Sequence, residues 1–522
     1  MLRRPQLFAP LQLALTVAAS MVAITPAGAQ ESTGAASGQP AWRIVPRISV
    51  DGILTDNVNP GQATKTGDFI THLAPGVQLD GKGGRVSGNA SLSLNQYIYS
   101  KDSGRNNLQT TLSGKALAEV VDQWLFLEAQ GNVGQQAVSA FGSPVASGVS
   151  NELISSNRTE VRSFEVAPRI QGHFGTFADY QLRFSRAESR SDAGALTGDG
   201  SAVNSWNGRI AGSTPLSFMG WSLLMNRQDS SRALTGNTSM RRLTGELELR
   251  VDPQLKTFLR AGSEADNYTT LSRSSRSTYG AGVAWAPTER TMVRVQSDKR
   301  SFGDGYSLEL SHRTALTAWK FVDSRDVQVP AAQLSKVSSA TALELQTQQL
   351  TSAFPDPVQR EQEARALLSA AGISPDQVLL GNILSARPYL QRRQEASVSI
   401  TGALNTVTFT AQRQSNEQLS AITGATDDFA ISPRIRQSGF SVNWAHKLTP
   451  DSSFTVSSQR NKTAGETAAL ESRLQNWSVL LTTRLAQKTS ASLGFRQTNT
   501  DRATAGNSYD EQAVTGSLLV SF

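Results

Sequence analysis

Cysteine is absent from the 522 residues. That excludes a disulfide framework, a thiolate metal site, a cysteine nucleophile and attachment through a lipoprotein cysteine. Histidine is scarce, with 4 residues, and no two of them have metal-ligand spacing. Long apolar runs are missing too. Beyond residue 29 nothing approaches the ~20 apolar residues of a membrane-spanning helix, and the mean hydropathy is −0.30. Nor does one sign of charge dominate. With 50 basic and 43 acidic residues, formally +7, a solvated surface of mixed sign fits better than nucleic-acid binding. The long helical patterns or continuous buried strands of a large soluble enzyme are also lacking.

The N-terminus has a recognisable form. Arg3 and Arg4 precede an apolar segment, Leu11 to Ile24, too short to span a bilayer, and Ala27-Gly28-Ala29 supplies a small-residue cleavage pattern. A signal peptide is therefore expected over residues 1–29, with the mature chain starting near Gln30. Residues 30–41 read as a linker.

From about residue 43 onward the dominant signal is a period of two. Leu243, Gly245, Leu247, Leu249 and Val251 alternate with Arg242, Thr244, Glu246, Glu248 and Arg250. Side chains alternate across a strand, so one set can face hydrocarbon and the other a wet interior. Similar stretches of about 9–13 residues recur along the chain, matching the length of a tilted membrane strand. Short Gly-, Pro- and Asp-containing turns, such as Asp252-Pro253-Gln254 and Asp80 to Gly84, alternate with longer Ser/Gly/Asn-rich links. That asymmetry is the one between periplasmic turns and extracellular loops. About ten short hairpins, with one strand at each end, give the expected fold. It is an all-β transmembrane antiparallel barrel over 42–522 of about 22 strands, in a range of roughly 18–24, in the outer membrane of a Gram-negative cell. Strands begin within about twenty residues of the cleavage site, so the N-terminal plug of a TonB-dependent transporter is not expected.

Particular residues acquire roles from this plan. Arg242, Glu246, Glu248, Arg250, Arg260 and Arg294 are expected to face the lumen. Trp124, Trp221, Trp285, Trp319 and Trp444 lie near short turns and are expected to anchor the membrane interface. Val514, Gly516, Leu518, Val520 and Phe522 alternate to the last residue. This resembles the C-terminal signature through which bacterial outer-membrane proteins engage the barrel-assembly machinery.

Between Asp326 and Gln394 the alternation stops. Asp356-Pro357-Val358-Gln359 has the pattern of a helix start, and Ser374-Pro375-Asp376-Gln377 repeats it, so helices are expected near 355–385. The insertion belongs on the extracellular side or inside the lumen. It is either a passive excursion or a constriction, gate or docking element.

No catalytic constellation emerges. His72, His173 and His446 lack partners in sequence. His312 follows Ser311, but adjacent strand residues point to opposite faces and cannot form a nucleophile–base pair. Glu246 and Glu248 share a face with flanking arginines, which reads as neutralised lumen charge. No enzyme activity, cofactor or metal is expected.

Three segments carry a family resemblance: Ile48 to Val58 with Thr55-Asp56-Asn57, Asp68 to Gly76, and Leu308 to Thr314. They resemble the uncharacterised outer-membrane β-barrel family associated with PEP-CTERM/exosortase systems. The resemblance runs through most of the mature chain, and such members accompany exopolysaccharide loci. It implies export or surface assembly of exopolysaccharide, with periplasmic export components as partners beside membrane lipid. The alternatives are a general or substrate-specific diffusion porin and, further off, an outer-membrane hydrolase.

Overall fold

The computed structural model describes residues 42–59, 64–142, 153, 155, 157–191, 200–216, 218–232, 237–268, 272–329, 341–352, 354, 357–370, 379–380, 385, 387–419, 427–502 and 508–522. The expected signal peptide and linker lie outside these residues, as does the second helix start at Ser374.

Twenty-two strands form one antiparallel sheet. They are β1 (Trp42–Thr55), β2 (Asp68–Gly83), β3 (Val86–Tyr99), β4 (Asn107–Val121), β5 (Leu125–Ala137), β6 (Arg158–Phe174), β7 (Ala178–Ser191), β8 (Ser201–Ser213), β9 (Met219–Arg232), β10 (Thr238–Arg250) and β11 (Leu255–Asp266). Then come β12 (Ser274–Thr288), β13 (Thr291–Arg300), β14 (Gly303–Arg313), β15 (Thr317–Gln328), β16 (Tyr389–Thr401), β17 (Asn405–Gln418), β18 (Arg434–Thr449), β19 (Ser452–Ala464), β20 (Ser472–Ala486), β21 (Thr489–Arg502) and β22 (Tyr509–Ser521). Each strand pairs with its neighbours in sequence. The ring closes where β1 meets β22, from Arg47 opposite Ser521 to Thr55 opposite Ala513. Closure leaves no edge with unpaired backbone groups, the condition for crossing hydrocarbon with strands. No described helix is long and apolar enough to cross a membrane.

The period of two becomes two faces. Leu243, Leu259, Val283, Trp285, Phe440 and Leu493 are exposed on the outside, while the alternate positions are mostly polar. An apolar exterior over a polar interior reverses the pattern of a soluble protein. It makes this an outer-membrane barrel.

Ten hairpins at one end have turns of two to five residues, the periplasmic end by the rule for bacterial barrels. Gly84 and Gly175 occupy such turns at φ +54° and +55°, where a Cβ would be strained. At the other end the links are mostly longer, although β13 and β14 are joined by Ser301 and Phe302 alone. That connection departs from the expected alternation of short and long.

The strands outrun the apolar stripes that announce them. They span 10 to 17 residues, and Asp80 to Gly83, read as a turn, continue β2. Hydrogen-bonded pairing persists beyond the membrane, where outward side chains become charged and the alternation fades from the sequence. For the same reason the insertion is shorter than 326–394: β15 runs to Gln328 and β16 starts at Tyr389. Two helices are described within it, α1 (Thr341–Gln349) and α2 (Pro357–Ala370). Pro357 opens the second as expected; the first lies before the expected 355–385.

Candidate functional site: a lumen crossed by the insertion

The insertion turns inward. Lys115 of β4 forms an ion pair with Glu361 of α2, and Lys320 of β15 forms one with Glu344 of α1. In a ring of 22 strands, β4 and β15 are eleven apart in either direction, so these two pairs grip opposite walls. The helices contact each other, and Leu343, Ala364 and Leu368 pack with Ala445 of β18 in one apolar cluster. Thr401 Oγ1, one residue from a periplasmic turn, donates to Gln349 Oε1 at 3.1 Å. The chain therefore enters from the extracellular end, reaches the periplasmic half of the lumen and returns. On the way back, the Leu379 carbonyl accepts from Gln459 Nε2 at 3.2 Å and Asn461 Nδ2 at 3.1 Å.

A second crossing lies at the extracellular mouth. Asp428, in the β17–β18 link, accepts from the Ala140 amide of the β5–β6 link at 2.6 Å. Phe141 packs against the buried cluster of Tyr389, Phe429 and Ile435. The Arg387 guanidinium donates to Asp427 at 2.8 Å, both side chains almost fully buried, which fixes the end of the insertion to the β17–β18 link. Burial pushes the Asp428 carboxyl above its usual range; the Ser139 and Ala140 hydrogen bonds only partly oppose that. For Glu361 the balance is reversed. Burial raises it, but the Lys115 and Arg365 cations outweigh burial and hold it below the usual carboxylate range.

The two sides of the lumen differ. From β5 to β14 the wall is charged and laddered. Glu128 accepts from Arg169 at 2.9 Å and from Arg183 at 2.8 Å, and Arg183 also reaches Glu165 at 2.6 Å. Glu246 is paired with Arg260 at 2.6 Å, and Glu248 with Arg250 at 2.7 Å. Arg242 turns to Asp298 at 3.4 Å, so the expected neutralisation of Glu246 by its own strand is replaced by a cross-strand partner. Arg294 also points inward, exposed, as does Arg209; among the described residues neither has an ion pair. All six expected lumen residues are on the inner face. Cavities of about 700 Å3 and about 390 Å3 lie along this wall, one with Arg209, Glu246 and Arg250, the other with Arg183, Arg242 and Arg300.

From β17 to β20 the inner face is uncharged until Lys447 and Arg484 at the periplasmic end. Its polar residues are hydroxyls and amides, including Thr408, Thr410, Gln412, Gln414, Asn443, Thr455 and Asn476, all buried. The insertion lies on this side.

The five expected interface tryptophans all project outward at the periplasmic end. Trp124 donates to the Tyr180 hydroxyl at 3.1 Å, Trp319 to Thr317 at 3.0 Å and Trp444 to Asn405 at 2.9 Å; Trp221 meets Phe177 with ring centroids 5.5 Å apart. Trp206 and Trp477 form a second, extracellular level with Phe164 and Phe440, also exposed. Trp477 follows the charged outward position Arg473 on β20, a signal in the sequence of its level, whereas Trp206 has no charged outward neighbour on β8. The Phe522 amide donates to Pro46 at 2.9 Å, beside the β1–β22 closure.

His312 faces outward, with Thr291 2.8 Å from its Nδ1, while Ser311 faces in. His72 faces the lumen and has a partner that sequence spacing did not disclose. Its Nδ1 lies 2.5 Å from the Asp51 carboxylate, its Nε2 3.2 Å from the side-chain Oδ1 of Asn95, and its ring stacks on Tyr97. Both ring nitrogens are engaged by acceptors, so neither is positioned to activate a hydroxyl. No group of three or more acidic or histidine ligands suitable for a metal occurs among the described residues.

No family model matches the chain, and no curated protein matches it. Solved structures of similar fold include the siderophore receptor PirA from Acinetobacter baumannii, at 8% identity and TM-score 0.45, covering 91% of this chain and 80% of that one. OccK2 (OpdF) from Pseudomonas aeruginosa matches at 7% identity and TM-score 0.36, covering 92% and 98%. The ferric enterobactin receptor PfeA from Pseudomonas aeruginosa matches at 10% identity and TM-score 0.45, covering 92% and 80%. These values leave function to the geometry of the chain itself.

Proposed function

We propose that this barrel is a constricted outer-membrane pore for small polar solutes, with the helical insertion as its constriction and the charged wall from β5 to β14 as the lining of the path. The observation that supports this reading is the diametric pair of anchors, Lys115–Glu361 and Lys320–Glu344, which hold two helices across a lumen while cavities persist on one side. A ladder of opposed charges offers successive weak sites to ionic or polar solutes without trapping them. The tryptophans at the periplasmic end serve as interface anchors, and the Phe522-ended strand as the mark for assembly machinery.

The second reading is gated export of exopolysaccharide, as the family resemblance implies. One observation favours it: the wall under the insertion is lined by neutral hydroxyls and amides, which suits a sliding hydroxyl-rich chain once uncovered. No hydrolytic step is part of either reading.

The test replaces residues 330–384 with a short Gly-Ser linker. β15 and β16 are adjacent, so such a linker can close the hairpin. In planar bilayers the intact chain should give small, steady steps, and the shortened chain should give steps several-fold larger. Equal conductance would remove the constriction. An intact chain that stays silent and opens only on deletion would favour the export reading.

A further inference from the structure

The outside of the barrel carries its own chemistry above the apolar band. On β6, β7 and β9 an outward cation there has an acid two residues away: Arg162 with Glu160, Arg186 with Glu188, Arg227 with Asp229. Such alternation cancels the field locally. The sector from β16 to β18 departs from it: no outward arginine there has an acid two residues away on its own strand.

Outward positions in this sector change abruptly from apolar to cationic. In β17 the order is Phe409, Ala411, Arg413; in β18 it is Phe440, Ser438, Arg436, Arg434. On β15 Arg325 lies beyond Phe321 with Asp323 between them, and on β16 Arg392 lies beyond Ala396 with Gln394 between them. These five guanidinium groups line, with Tyr306, an exterior recess of about 410 Å3. Two carboxylates answer them. Asp323 takes Arg392 at 3.1 Å, and Glu417 takes Arg434 at 3.1 Å. Arg325 donates to the Asp304 backbone carbonyl, whose own carboxylate is held by Lys299. Arg436 donates to the Gly465 carbonyl at 3.3 Å. Arg413 has neither an ion pair nor a hydrogen bond among the described residues. Three of the five positive charges are thus uncompensated.

Depth identifies what this recess meets. At ~3.3 Å per residue, four residues separate Arg413 from the exposed Phe409 ring by roughly 13 Å along the strand, less when projected on a tilted axis. The cations therefore sit at headgroup level, directly above a surface that acyl chains must wet. Planar guanidinium groups pair with phosphate through two hydrogen bonds and do so best at such a partly desolvated border.

We propose that this recess is a binding site for the phosphates of a phosphorylated outer-leaflet glycolipid, whose acyl chains lie on the stripe formed by Phe321, Val398, Phe409 and Phe440. The site is independent of what passes through the lumen. It would fix one lipid against the strands that carry the insertion.

Native mass spectrometry of the full-length mature barrel in detergent tests this with three probes: bisphosphorylated lipid A, the same lipid A stripped of phosphate, and inorganic phosphate. The bisphosphorylated lipid should be retained about tenfold more tightly than the stripped one, a difference of about 1.4 kcal/mol, and millimolar phosphate should not displace it. Arg413→Glu with Arg436→Glu should abolish the preference, and Arg227→Glu on β9 should leave it intact. Folding of each variant is checked by heat-modifiable gel migration. Equal retention of the two lipids would overturn the proposal, as would displacement by free phosphate or full preference in the folded double variant. The comparison of lipids uses the unaltered protein, so the outcome stands even if a variant fails to fold.

Discussion

The two walls of the lumen are made by the same kind of ribbon and end in opposite states. Between β5 and β14 the inner face carries arginines and carboxylates, and cavities remain open along it. Between β17 and β20 it carries hydroxyls and amides, and those are buried. The difference follows from desolvation. A hydroxyl or amide that keeps one hydrogen bond can be covered at small cost, whereas a charge loses several kcal/mol of hydration unless paired in good geometry. An insertion folding into the barrel therefore settles on the neutral side. The charged side stays wet.

The largest effect is expected where charge is added under the insertion. Gln412 is 7% exposed and stands opposite Glu395, itself buried. Gln412→Glu should place two carboxylates face to face in a dry position and lower the unfolding free energy of the reconstituted barrel by about 3 kcal/mol, read as a shifted urea midpoint. An unchanged midpoint would mean that this wall is solvated after all.

A somewhat smaller effect is expected from loosening the crossing helices. Lys115→Glu with Lys320→Glu sets like charges against Glu361 and Glu344 and should raise mean conductance roughly several-fold, without any deletion. The anchor also has a pH signature. The Glu361 pKa is depressed in the folded state, so its contribution is present above the unfolded carboxylate value and is lost as pH falls through the lower folded one. Conductance should stay level from neutral pH down to the ordinary carboxylate range and rise only below it. Glu361→Gln should flatten that response; a rise near pH 6 would point to a different group.

On the open wall the changes should alter selectivity more than stability. Arg209→Glu with Arg294→Glu reverses two exposed lumen cations and should move the cation-to-anion permeability ratio by about threefold toward cations, measured as a reversal potential in a salt gradient. The least consequence is expected for Arg250→Gln. Its pair with Glu248 is half exposed, and its loss should change stability by under about 1 kcal/mol. A larger loss would show the ladder to be structural.

Much of the architecture is legible in the sequence, and the parts that are not have physical causes. The stripe from Leu243 to Leu249 indicated both faces of β10, and counting short turns reached the observed 22 strands. Strand ends were misplaced because outward residues such as Arg186 and Glu188 no longer contrast with their inward neighbours above the membrane. Pro357 marked α2. Thr341 and Glu344, at capping-box spacing, are the only local mark of α1, which lies outside the stretch of helix-start patterns near 355–385. Of the lumen site, the residues were legible and their partners were not. Arg260 reaches Glu246 from the next strand, Arg242 reaches Asp298 across several strands, and His72 meets an aspartate 21 residues away.

By itself, the order of residues determined the ribbon: alternation is a property of local backbone geometry, and each strand displays it without reference to any other. Which charges neutralise one another, that the insertion turns inward, and that β4 and β15 share it were decided only by closure. Contacts between strands eleven apart exist only once every intervening strand has been hydrogen-bonded in register, so no local pattern can encode them.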